Sequence, residues 1–137
     1  MSQAVARNTN TTTGKALNVI LWILQIGAAA LFLLAAWTKL TSDPQSVQGF
    51  AMIGQKIGVG QWFRYLTGSL ELLGAVLLLI PRLCGVGALI LACVMLGAIP
   101  THLFIIGGSP VAAIILLLVM IIIAWGRRER TLSLLGK

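Results

Sequence analysis

Residues 62–80 read WFRYLTGSLELLGAVLLLI, an apolar stretch of membrane-spanning length with a carboxylate, Glu71, near its centre. About 20 mostly apolar residues cross a hydrocarbon core, so this stretch is predicted to be a transmembrane helix. An ionised side chain at that depth is costly unless it faces protein, water or a partner, and Glu71 therefore constrains how the other spans are arranged. Arg64, Gly68, Glu71 and Ala75 recur at steps of three and four residues, so they share one narrow polar face that another helix can approach closely. Pro81 stops the helix and Arg82 marks the interface.

The rest of the chain has the same character. Of the 137 residues, 58% are hydrophobic and 9% charged, too few polar side chains to cover the core of a water-soluble domain. The apolar runs are too long and continuous for barrel strands with alternating faces. The predicted fold is an all-α integral membrane protein, a four-transmembrane-helix bundle with spans at about residues 17–38, 62–80, 83–102 and 111–126. A short amphipathic segment is expected between helices 1 and 2, where Val47, Phe50, Ala51, Ile53 and Ile57 have near-helical spacing among glycines that argue against a full span. Residues 1–16, polar and containing TNTTT, are expected to be a flexible tail, residues 17–128 the membrane domain, and residues 129–137 a C-terminal tail. The first apolar stretch is as long as a full span, which argues against a signal peptide.

In the third span Gly85, Gly87, Gly97 and Ala98 offer close-packing positions, and Pro100 loosens the last turn beside Thr101 and His102. The fourth, VAAIILLLVMIIIAW after the turn GGSP, is almost purely aliphatic and reads as lipid-facing. Trp22 and Trp37, toward opposite ends of the first span, fit interface belts. Ten Lys or Arg against Asp43, Glu71 and Glu129 give a formal charge of +7. Most of these positives sit beside span ends, where attraction to lipid and retention on one side explain them better than nucleic acid does. Four spans put both termini on one side with Arg7, Lys15, Arg82, Arg127, Arg128, Arg130 and Lys137, against Lys39, Lys56 and Arg64 on the other. A multi-pass inner-membrane protein with both termini cytoplasmic follows. Cys84 and Cys93 are separated by about 13 Å on one helix, too far to pair, and read as small apolar packing residues. No metal-ligand or CxxC spacing is present.

Glu71 lies about 13 Å into a core about 30 Å thick, with Gln25 of the first span roughly 6 Å deeper, so the two can be neighbours. Lys39, Arg64 and His102 fall near one level toward the outer end. One reading is a polar cavity opening outward, in which Glu71 accepts a hydrogen bond or moves a proton, Arg64 or Lys39 balances its charge, and His102 is a second proton-active group. The other is a satisfied polar network that fixes the bundle. Gln25 serves either as an interhelical hydrogen-bonding residue or as a ligand contact. Lys39 either snorkels to the headgroups or turns inward to a carboxylate. Tyr65, beside Trp62 and Phe63, either lines a site for a flat ring or isoprenoid or belongs to an aromatic belt. A lone histidine without a clear second ligand argues against haem.

AAWTKL at residues 35–40, RYLTGSLELLGAVLLLIPR at residues 64–82 and GAIPTH at residues 97–102 together resemble the DoxX or DoxX-like family of small four-span membrane proteins, over about Leu17 to Arg128. The family's lysine after the first span is similar to Lys39, its glutamate, small residue and span-ending proline to Glu71, Gly74 and Pro81, and its late third-span histidine to His102. The family takes its name from a subunit associated with thiosulfate to quinone oxidation. The resemblance thus implies a membrane subunit that binds a quinone-like or other lipophilic small molecule and supports a soluble or membrane redox partner. The chain carries no flavin, iron-sulfur or dithiol motif, so electron transfer would come from a bound quinone or from that partner. A small proton-coupled transporter or exporter, and a structural or assembly protein without ligand, remain alternatives. The glycine-containing faces also allow a homo-oligomer.

Overall fold

The computed structural model describes the backbone of residues 2–107 and 109–136, and side chains within those ranges from residue 14 onward. Six α-helices follow one another: α1 (Ser2–Leu40), α2 (Pro44–Ile57), α3 (Trp62–Leu79), α4 (Cys84–Thr101), α5 (Val111–Gly126) and α6 (Arg128–Leu134). A π-helical turn, His102–Ile106, continues α4. Gly14–Leu40, Trp62–Leu79 and Cys84–Ile106 are each long and apolar enough to cross a membrane, and α5 with α6, bent by 63°, gives a fourth if counted as one broken span. The protein is an all-α membrane protein.

The order of packing places the polar face. α1 lies mainly on α3, α3 on α4 and α4 on α5, with a smaller α1–α5 contact closing the bundle. α3 buries Arg64, Gly68, Glu71, Gly74, Ala75 and Leu78, the face expected from their spacing. α3 and α4 meet nearly backbone to backbone, because a Cβ on Gly87 would stand 2.7 Å from the Gly74 carbonyl oxygen and 2.8 Å from the Leu78 nitrogen. Phe32, Leu78, Leu91, Met120 and Ile123 fill the interior. Ile23, Leu34, Leu72, Leu89 and Leu118 point outward, an arrangement that only lipid solvates without cost.

α2 is amphipathic as expected. The Asp43 carboxylate accepts a hydrogen bond from the Gln45 amide, Pro44 takes the first turn, and Gly58 ends the helix at φ 77°. Its buried Phe50 packs against Phe63 of α3, the rings tilted with centroids 5.9 Å apart, so α2 lies on one end of the bundle.

Three elements run longer than their sequence suggests. The helix expected from about residue 17 begins at Ser2. No proline interrupts residues 2–16, and extending an existing helix costs little once it is nucleated. The third span, expected to end near His102, continues to Ile106, because Pro100 removes a backbone donor and the following residues rejoin in wider π geometry. The C-terminal tail expected at residues 129–137 contains most of α6. Thr131 lies against Gly85 of α4, and the Arg130 Nη1 donates to the Pro81 carbonyl at 3.0 Å, contacts that hold this short helix down. The expected turn GGSP includes Gly108, which lies outside the described residues.

Candidate functional site

Lys39 turns inward. Its Nζ stands 3.0 Å from Glu71 Oε1 and donates to Oε2 at 3.2 Å. The approach depends on Gly68, where a Cβ would lie 3.0 Å from the Lys39 Cβ and 3.2 Å from the Leu40 side chain. The missing side chain lets the last turn of α1 settle on α3, and Glu71, one turn further along the same face, comes within reach. The Glu71 side chain is 3% exposed and that of Lys39 18%, so the carboxylate is buried and the ammonium partly exposed. Both carboxylate oxygens are engaged by one cation, and an ammonium with three N–H groups keeps at least one for another acceptor.

Arg64 secures the rim rather than pairing with Glu71. Its Nε donates to Gln61 Oε1 at 2.8 Å, and its Nη1 donates to the Lys39 carbonyl, one of the acceptors left open at the C-terminus of α1. The guanidinium lies 4.3 Å from the centroid of the Tyr65 ring. Gln61 Nε2 donates to the Val47 carbonyl at 3.2 Å, tying α2 to the same cluster. The Tyr65 and Ser42 hydroxyls are 3.3 Å apart, with Ser42 at φ 62° in the α1–α2 turn. Lys39, Glu71, Arg64 and Tyr65 are thus brought together.

His102 and Gln25 are placed elsewhere. Gly74 packs against Leu91, so counting along the antiparallel helices sets His102 at about the level of Arg64. Its Nδ1 nevertheless donates back to the Ala98 carbonyl at 3.0 Å. Gln25 does not neighbour Glu71: its Nε2 donates to the Leu78 carbonyl at 2.8 Å, about 10 Å along α3 from Glu71. Its Oε1 accepts from Arg127 Nε at 2.8 Å, and Arg127 Nη1 donates to Asn18 Oδ1 at 2.8 Å. The Trp22 ring lies 5.7 Å from the same guanidinium, so this tryptophan has a partner beyond a belt position. The expected polar column is therefore two clusters, one at the α2 end and one at the end where α5 meets α6.

Sequence reasoning missed the buried Arg127 and its partner, the half-buried Asn18. The available signal was Asn18 and Gln25 at a seven-residue step, which places both on one face of α1. Cys84 is buried and Cys93 exposed on the apolar surface. No three His, Cys, Asp or Glu side chains converge among the described residues. Two open grooves of about 310 and 320 Å³ lie along the α4–α5 seam, and Lys39 and Glu71 line neither.

No curated protein and no solved structure matches the chain significantly. The DoxX-like family profile matches residues 23–126, about three quarters of the chain, a region that includes Lys39, Arg64, Tyr65, Glu71 and His102. With a match of that extent on an all-helical chain that has three membrane-length helices, or four if α5 and α6 form one broken span, the chain belongs to the DoxX-like family.

Proposed function

We propose that the protein is a multi-pass inner-membrane subunit, both termini cytoplasmic, that binds the polar head of a quinone-like lipophilic molecule at the Lys39–Glu71 cluster and supports a redox partner. The observation that carries this reading is the partly exposed Lys39 ammonium, held by a buried carboxylate and left with an N–H for another acceptor. Such a donor suits a carbonyl oxygen, and the exposed Tyr65 ring beside it suits a flat conjugated ring. A quinone, when bound, supplies the two-electron acceptor. Lys39 orients it by donating to its oxygen, and Glu71 positions Lys39. In this reading the head group would lie against the Lys39 ammonium, with its tail in lipid.

Mass spectrometry under native conditions on gently purified protein tests the reading. One discrete small-molecule species is expected in the wild type and absent from the paired variant Lys39→Met/Glu71→Leu, which removes the ammonium without stranding a buried charge, with Arg82→Gln as a control that retains it. The same adduct spectrum in all three proteins overturns the proposal. A second reading, a structural or assembly role, is favoured by the matching of both Glu71 oxygens within the protein. It predicts no retained species in any variant.

A further inference from the structure

The end of the bundle that carries the termini holds a second, unrelated set of features. The two grooves on the α4–α5 seam share Leu89, Ala124 and Trp125. They form one furrow, running from the α5–α6 bend into the apolar span. The first stretch ends at Gly85, Arg128 and Thr131, and the second reaches Ala92 and Ile121. From Gly85 to Ala92 the furrow is about 10 Å long, comparable with the upper half of an acyl chain. Its walls are almost wholly apolar and its side opens to lipid, but its interfacial end carries a cation.

That cation is only partly used. Arg128 lies 4.4 Å over the Trp125 ring, and its Nη1 donates to the Trp125 carbonyl at 2.8 Å. Its other N–H groups have no protein partner among the described residues. Of its neighbours, Arg127 turns inward to Gln25 and Asn18, and Arg130, whose Nη1 donates to the Pro81 carbonyl, does not line the furrow. Glu129 is the nearby carboxylate, and no ion pair joins it to Arg128 among the described residues. The positive charge at the mouth of the furrow is therefore available, at the level where lipid phosphates lie.

We infer that this furrow is a binding site for an anionic phospholipid, with an acyl chain along Leu89 and Trp125 and the phosphate against the Arg128 guanidinium. Charge complementarity selects this occupant over a neutral lipid, since one interfacial Arg favours an anionic headgroup about fivefold. The site is independent of the Lys39–Glu71 cluster, at the opposite end of the bundle.

The test uses full-length protein, delipidated in neutral detergent and titrated with phosphatidylglycerol or phosphatidylcholine of matched chains, bound lipid being counted by native mass spectrometry. Phosphatidylglycerol is expected to bind more tightly, and Arg128→Gln to weaken it about fivefold while leaving phosphatidylcholine unchanged. Leu89→Trp fills the furrow from the lipid-facing side, where it disturbs no core packing, and is expected to weaken phosphatidylglycerol as well. Lys56→Gln, at the other end, is the control expected to bind like the wild type. Equal binding of the two lipids, indifference to both furrow variants, or displacement by millimolar inorganic phosphate overturns the inference. So does a dimer that Leu89→Trp breaks with no change in lipid count, because the furrow would then seat a second copy of the chain.

Discussion

Lys39 and Glu71 are the residues on which the candidate site depends, and the cost of separating them is the first expectation. Removing one member of a buried pair strands the other, at about 3–5 kcal/mol, whereas replacing both with apolar side chains of similar size is near neutral. Lys39→Met is thus expected to destabilise the protein strongly, and adding Glu71→Leu to recover most of the loss. Unfolding in detergent, followed by circular dichroism across the four members of the cycle, measures the difference; additive losses would remove the pair from the account. Part of this site was legible in the sequence. Glu71 stood out by depth, and its common face with Gly68 was fixed by three- and four-residue steps. The choice of Lys39 over Arg64 as its partner was not legible, because it depends on how closely α1 settles on Gly68. Gln25 shows the same limit: its interior polar character was legible, but the vertical register of α1 against α3 set it beside Arg127 and Leu78.

Among the elements, the α3–α4 pair makes the most demanding contact. A Cβ at Gly87 meets backbone atoms of α3, which cannot move aside as a side chain can, while one at Gly97 meets nothing within 4 Å. Gly87→Ala is expected to cost about 1–3 kcal/mol by forcing the helices apart, and Gly97→Ala to leave stability unchanged or slightly raised. Thermal unfolding in the same detergent compares them, and equal melting temperatures would contradict the close approach. Helix existence and type were legible for every span, since long apolar runs have few alternatives in lipid. The ends were less so. Pro81 stopped α3 as expected, but Pro100 was passed by a π-helical turn, and α6 formed because Gly85 leaves room for Thr131.

At the scale of the whole molecule, the bundle separates two polar ends: the Lys39–Glu71 cluster under α2, and the arginine-rich end with both described chain ends. The proposed cytoplasmic placement of that second end rests on its excess of Lys and Arg. In a background with Cys84 and Cys93 changed to Ala, Lys56→Cys is expected to react with a membrane-impermeant maleimide in intact cells. Ser133→Cys is expected to react only after permeabilisation, and the reverse pattern would invert the topology. The membrane class, the all-helical fold, the polar face of α3 and the place of Glu71 midway along it were determined by sequence alone, because hydropathy and the helical repeat are local properties of a chain that must satisfy its backbone within each span. The inward turn of Lys39, the pairing of Gln25 with Arg127 and the furrow ending at Arg128 were decided only by tertiary structure, because each depends on how far one helix slides and how closely it approaches another.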